Sequence, residues 1–397
     1  MRLLFVHREV GHFFGGVENH IRELAKRLAL RGQVIILTER GKTDPLLELK
    51  LIRNIKVVYL PHLEVLRSIK IKRAKTYVSA SIKKSYYLTK YLRLIDDVPW
   101  LLKVILWILL HRKECDVVSV HTFIDTVAMQ FINKIVRLPY VSFLEGYDFI
   151  EAENAKHANI VVAISKFIYD QCRKVHGFEP YLIPIGVDIK KFQKVNKEKV
   201  NEVRKKYCPQ NELLVLNVAR LSASKDIPTM IKAAAIVNKR YNGVKFVVCG
   251  EGEDRTILED MIEKYNLKDK FFLVPVFGED LPPFYKAADV FLHVPKFGIH
   301  FQIVYLEAMA SGCPIIGADA EAGPDILGNA AILVKPGRED VLANALLRLI
   351  KDKKLRRGLA NKAKERAKIF DWKKLIPLYE SVYKEALSLS IDSKMRR

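Results

Sequence analysis

The sequence predicts an α/β protein of two domains, each built on a parallel sheet covered by helices on both faces. Three observations carry that expectation. The chain has 397 residues, too long for one ordinary core and about right for two. Short β-branched runs alternate with amphipathic helical stretches along nearly its whole length, the rhythm of βαβ units. That rhythm restarts after IPIGVDIKKF (Ile183–Phe192), where Pro184 and Gly186 interrupt the strand pattern.

In the first half LLFV leads to the helical VENHIRELAKRLALRG and then to QVIILT. Glu39 to about Leu60 is less regular, and Val65 to His111 reads as one or two long helices inserted before DVVSVH. TVAMQFINKIVRL, YVSFLE, a helical EAENAKHA and NIVVAIS follow. The second half runs LLVLNVA, a helix around PTMIKAAAIVNKRY, KFVVCG, TILEDMIEKYNL and FFLVPV. LPPFYKAA, DVFLHV, IVYLEAMASG, PIIGAD, AAILV and EDVLANALLRLIKD complete it. The expected boundaries are 1–184 and 185–369, with 370–397 as a final helical segment. A cleft at the carboxyl ends of such strands is the default ligand site.

Half the residues are apolar and 28% charged, so disorder and low-complexity readings fail. The longest apolar run, Val98–Leu110, has Lys103 inside it and is shorter than the ~20 residues a membrane span needs. The first residues, MRLLFVHREV, read as a strand rather than a secretory signal. Five widely spaced cysteines, Cys115, Cys172, Cys208, Cys249 and Cys313, suggest small buried hydrophobes in a reducing cytosol rather than zinc ligands or a disulfide framework. The formal net charge of +22 is shared evenly between the two halves. Within it, Val65–Leu94 holds nine basic residues, no acidic one, and interleaved tyrosines. That pattern suits anionic lipid headgroups, phosphorylated ligands or nucleic acid, and equally a solvated helical face.

Three features carry chemistry. Gly15-Gly16 sits between the first strand and its helix, where glycine lets a ligand approach and helix amides favour an anion such as phosphate. Arg220 follows a strand and Lys225 lies five residues on; two such cations suit a diphosphate. In PKFGIHFQIVYLEAMASGCPIIGAD a helix is expected from about Ile303 to Ala310, stopped by Gly312, with Glu307 among apolar neighbours. A carboxylate there needs a hydroxyl or cationic partner.

In their order, these features resemble the family 4-like retaining nucleotide-sugar glycosyltransferases (glycosyl transferases group 1). The likeness covers almost the whole chain, adding IPIGVD, the Gly-x-Gly turn of KFVVCGEGED and FDWKKLIPLYESVYKEA. It implies a GT-B fold: two Rossmann-like domains facing across a cleft, with the C-terminal helix crossing back to the first. It implies that Arg220 and Lys225 neutralise the leaving diphosphate, that Gly15 and Gly16 present the turn and an amide to it, and that Glu307 accepts from ribose hydroxyls. The backbone at Gln302, Ile303 and Val304 would meet the donor phosphate and sugar, and Gly250 and Val276 would line the base pocket. The donor would be a nucleoside-diphosphate sugar and the acceptor a hydroxyl, lipid-linked or on a polysaccharide. No metal or other cofactor and no nucleic acid is expected. The protein would be cytoplasmic, or peripheral at the inner face of the membrane, with 65–110 as the docking segment; the alternative is that Val98–Leu110 simply packs on the sheet.

Two departures from the family pattern qualify the chemistry. Where the family reads Glu-Gly-Phe-Gly, this chain has Ile299-His300-Phe301-Gln302, so the carboxylate that contacts the transferred sugar is absent. Positive φ at His300 or Gln302 would be strained. In LPYVSFLEGYDF, Glu145 occupies the place of the family's histidine beside the anomeric region. It is the third candidate catalytic residue with Arg220 and Lys225, able to hold a sugar hydroxyl, act as a base or stabilise positive charge. His121 is expected to be structural. The same departures leave open a non-catalytic nucleotide-sugar-binding protein or scaffold of the same fold.

Overall fold

The computed structural model describes residues 1–10, 15–40, 46–61 and 97–395, with side chains as far as 391. The basic run Val65–Leu94 lies outside the described residues. The chain forms two units: Met1–Ala163 with Cys172–Tyr181 and Leu378–Arg397, and Ile164–Gln171 with Leu182–Pro377. The final helix, Trp372–Met395, contains Pro377, and residues beyond that proline group with unit 1.

Strands β1 (Arg2–Val6), β2 (Gln33–Glu39), β3 (Ile55–Leu60), β4 (Val117–Val120), β5 (Tyr140–Leu144), β6 (Ile160–Ala163) and β7 (Tyr181–Leu182) form one sheet in the order β3-β2-β1-β4-β5-β6-β7. The second holds β8 (Leu213–Val218), β9 (Val244–Cys249), β10 (Phe271–Val274), β11 (Val290–His293), β12 (Ile315–Ala318) and β13 (Ala331–Val334), ordered β10-β9-β8-β11-β12-β13. The pairings among β1–β6 and among β8–β13 are parallel, with Leu4 opposite both Ile35 and Val118, and Val215 opposite both Phe246 and Val290. Strand order reverses at β1/β4 and at β8/β11, the switch points where such folds bind ligands.

Parallel strands are buried on both faces, which explains their unbroken apolar runs. In β8, Leu214, Leu216 and Val218 pack with Tyr285, Met309 and Ala363. Val215, facing the other way, packs with Ile231, Ala234 and Leu346. In unit 1, Leu4, Val6, Val118 and Val120 cluster with Trp100, Trp107 and Met129, while Phe5 on the opposite face meets Tyr383. All five cysteines are buried and unpaired, as the sequence suggested.

Residues 97–110 are helical. Trp100, Val104, Trp107 and Ile108 face the sheet, following the spacing of one helical stripe. The Trp100 indole donates to Asp125 Oδ1 at 2.8 Å. Val98, Leu102, Leu106, Leu109 and Leu110 form an exposed apolar stripe on the same helix. Replacing Trp100 with alanine should therefore cost about 3–5 kcal/mol, whereas Leu102→Ala, at a position 59% exposed, should stay within about 0.5 kcal/mol. Urea denaturation followed by circular dichroism checks the contrast.

Candidate functional site

In unit 1 the polar groups gather where β1, β4 and β5 end. Glu145 directly follows β5, and its side chain is only 5% exposed. His121, directly after β4, donates Nδ1–H to Glu145 Oε1 at 2.8 Å. His20, from the helix Gly16–Leu28, reaches the same oxygen through Nδ1 at 2.6 Å. His121 Nε2 then accepts from Ser119 Oγ at 2.9 Å, and Ser119 Oγ from Tyr383 O–H at 2.8 Å. His20 Nε2 lies 3.0 Å from Tyr379 Oη. The circuit thus opens and closes on two tyrosines one turn apart in the last helix, and Phe143 stacks on the His121 ring at 4.7 Å.

Burial pushes the Glu145 carboxyl up, but His20 and the two imidazole hydrogen bonds outweigh it and bring it to about 2. Burial lowers His121, with the Glu145 bond opposing, so its imidazole is neutral near neutral pH. His20, His121 and Glu145 are also three residues of metal-ligating type whose ligand atoms lie within 4.8 Å of one another. Their 2.6 and 2.8 Å spacings are those of hydrogen bonds; ligands about 2.0–2.1 Å from a tetrahedral zinc stand farther apart.

The Gly15-Gly16 turn opens the helix Gly16–Leu28 without a side-chain cap. The carboxyl of Glu18 lies against Gly15, its Oε2 2.0 Å from where a Cβ would stand. Burial raises Glu18 to about 7, so an anion arriving at this helix end meets a group that protonates readily.

In unit 2 the corresponding cluster lies beyond β8, β11 and β12. Lys225 Nζ donates to Gln302 Oε1 at 3.1 Å, and His293 Nε2–H to the same oxygen at 3.0 Å. Gln302 Nε2 donates to the Gly298 carbonyl at 3.0 Å. Asn217 Nδ2 donates to His293 Nδ1 at 3.3 Å, fixing the neutral tautomer. Burial and the Lys225 charge push His293 down to about 3, against the Gln302 bond. Burial also lowers Lys225. Arg220 is exposed and forks onto Glu253 Oε2 at 3.2–3.3 Å.

The helix Ile303–Ser311 begins with Gln302 as an extended N-cap and no side-chain cap bond; Gly312 ends it at φ 72°. Ile303 and Val304 are half-buried in its first turn. Glu307 finds its partner in Tyr285, whose O–H donates to Oε2 at 2.6 Å. Gly250 has φ 148°, and a Cβ there would stand 2.0 Å from the Ala219 carbonyl, so only glycine lets β9 turn so close to the end of β8. Val276, half-buried, packs on the core beside β10.

Comparison with known proteins decides the family. Residues 14–191 match glycosyltransferase family 4, and residues 199–366 match glycosyl transferases group 1. An uncharacterized glycosyltransferase of Methanocaldococcus jannaschii is 24% identical over 94% of this chain and 95% of its own. The chain is a family 4-like glycosyltransferase of GT-B fold. The alpha-monoglucosyldiacylglycerol synthase of Acholeplasma laidlawii is 30% identical over 42% of the chain and 43% of its own length. The crystal structure of Anabaena HepE in complex with UDP and glucose superposes with a TM-score of 0.77 at 20% identity, over 96% of this chain and 99% of that one.

In this glycosyltransferase, Gly15, Gly16 and Glu145 belong to unit 1, and the remaining candidates to unit 2. Lys225 and Gln302 touch; Arg220 and Glu307 are each held by a separate partner. The strain expected at His300 and Gln302 is absent: Gln302 has φ −122°, and the positive φ falls on Gly298 at 72°. His20, Ser119, Tyr379, Tyr383, His293 and Glu321 carry no local signal in the sequence. Asp148 caps the helix Phe149–Ala155 through the Ile150 and Glu151 amides.

Glu145, held far below an ordinary carboxyl, contributes stability that is complete above about pH 4.5 and is lost as pH falls toward 2. Glu145→Gln should therefore flatten the pH dependence of the unfolding free energy across that window. An unchanged slope in urea titrations at several pH values would show that the carboxylate is not charged in the fold.

Proposed function

We propose that this glycosyltransferase moves a hexosyl group from a nucleoside-diphosphate sugar to a hydroxyl acceptor, with retention at the anomeric carbon. The observation that carries the reading is the Lys225–Gln302–His293 cluster at the β8/β11 switch point. It holds a half-buried ammonium at the place where an α/β sheet binds phosphate. Lys225 and Arg220 would meet the charge that develops on the leaving diphosphate, Arg220 exchanging Glu253 for phosphate. Glu307, with Tyr285 on one oxygen, would accept from the ribose. Gly250 and Val276 would flank the base, and the open amides of Ile303 and Val304 would face the donor phosphate and sugar. With these groups meeting the charge, we read the reaction as metal-independent. Support for the donor class comes from HepE, solved with UDP and glucose.

Retention would follow from front-face displacement, with the departing phosphate taking the acceptor proton. A carboxyl held near 2 is a poor proton acceptor at neutral pH. The reading of Glu145 thus narrows to a fixed negative charge. Its Oε2 receives none of the hydrogen bonds described and would hold a sugar hydroxyl or offset charge on an oxocarbenium-like carbon. Arg220→Ala and Lys225→Ala should each reduce turnover by about 100-fold or more with unfolding midpoints unchanged. Assays over a panel of UDP- and GDP-sugars check this, and wild-type turnover in either variant removes that residue from the mechanism.

A lipid-linked acceptor fits the exposed stripe Val98, Leu102, Leu106, Leu109 and Leu110, which follows the basic run Val65–Leu94 in sequence, and the lipid-acting relative of Acholeplasma laidlawii. No helix among the described residues is long and apolar enough to cross a membrane, so contact would be peripheral. The protein should sediment with phosphatidylglycerol vesicles at low salt, and Leu102→Glu with Leu106→Glu should abolish it. Wild-type protein remaining in the supernatant contradicts peripheral docking.

A further inference from the structure

We infer that Glu321 is a specificity-determining residue of the donor site, its free carboxylate oxygen accepting hydroxyl groups of the transferred sugar. The inference rests on the donor-site reading above and extends it to a residue three positions beyond β12.

Glu321 has φ 49°, a left-handed conformation that is costly for a non-glycine residue and persists only where its surroundings over-determine it. Here they do. Glu321 Oε2 accepts the Ile299 amide, and the Ala322 amide donates to the Ile299 carbonyl at 3.1 Å. The carboxylate therefore clasps the loop 298–302 at Ile299, while Gln302 ties the same loop to Lys225. Only one oxygen is used in this way. Oε1 receives none of the hydrogen bonds described, and the side chain is 29% exposed.

The neighbours define the ligand. His300 Nε2 lies 3.8 Å from Glu321 Oε2, its ring stacked parallel to Phe167 at 6.0 Å. Burial and Lys225 lower its pKa, with Glu321 opposing. A carboxylate held against the loop that carries the ammonium's partner repels phosphate and welcomes neutral O–H donors. The part of a nucleotide sugar that is neutral, rich in hydroxyls and attached to the diphosphate is the glycosyl group. Ile299, whose side chain is fully buried, presents no polar group there; Glu321 supplies the acceptor from another strand end.

Glu321→Gln keeps an oxygen for the Ile299 amide but turns a donor outward. Calorimetry with UDP, GDP and their glucose, galactose, N-acetylglucosamine and mannose conjugates tests the assignment. In Glu321→Gln the affinity for the bare diphosphate should hold within about twofold, and that for the conjugate preferred by wild type should fall at least tenfold, as expected when a charged hydrogen bond is lost. Glu321→Asp, which retains the charge, should recover part of the loss. Equal losses for diphosphate and conjugate in both variants, or no loss in either, would overturn the inference and leave Glu321 a loop clasp. Failure of wild type to bind any diphosphate would instead overturn the donor site itself.

Discussion

A parallel sheet covered on both faces leaves polar side chains only its two edges of strand ends, and this constraint shapes both units. Interior positions of β1, β4, β5, β8 and β11 are almost wholly apolar, because helices shield them from water. The titratable groups are pushed to the carboxyl ends: His121 and Glu145 in one unit, Arg220, Lys225, His293 and Glu321 in the other. There the strand order reverses and two loops diverge, leaving room for a ligand. The catalytic proposal follows from where the fold permits charge at all.

The two clusters handle that charge differently. In unit 1 a buried carboxylate is stabilised in its charged form by imidazole N–H groups, and the circuit is anchored to the final helix through Tyr379 and Tyr383. The result is a fixed anion with one oxygen committed. In unit 2 the ammonium of Lys225 is held by an amide oxygen rather than a carboxylate, so its charge is oriented without being cancelled. Among the described residues Lys225 makes no ion pair, so an incoming diphosphate would displace none there, whereas at Arg220 it would compete with the exposed pair to Glu253, which costs little.

The fold was legible because its signals are local. Apolar runs of four to seven residues, separated by helical periodicity, fix the strands, and Gly312 marks the end of its helix in sequence and structure alike. The identity of Glu145 was equally plain. Its partners were not, because His20 lies 125 positions away and nothing in GVENHIREL distinguishes a core histidine from a surface one. The loop 298–302 shows the complementary failure. Reading glycine replaced by His300 and Gln302 suggests strain, but the chain shifts its left-handed residue to Gly298 and uses the Gln302 amide as a brace. Glu321 carries no local signal; only the register of β12 against β11 brings it to the loop it clasps.

The central claim is that a nucleoside diphosphate sits at the β8/β11 switch point against Lys225. A crystal structure of the wild-type protein soaked with UDP, and separately with GDP, tests it most directly. The account predicts diphosphate density with a phosphate oxygen in hydrogen-bond reach of Lys225 Nζ, Arg220 released from Glu253, and Gln302 still bonded to His293. Diphosphate bound away from these strand ends, or none bound at saturating concentration while Lys225 and Arg220 keep their present partners, would contradict it.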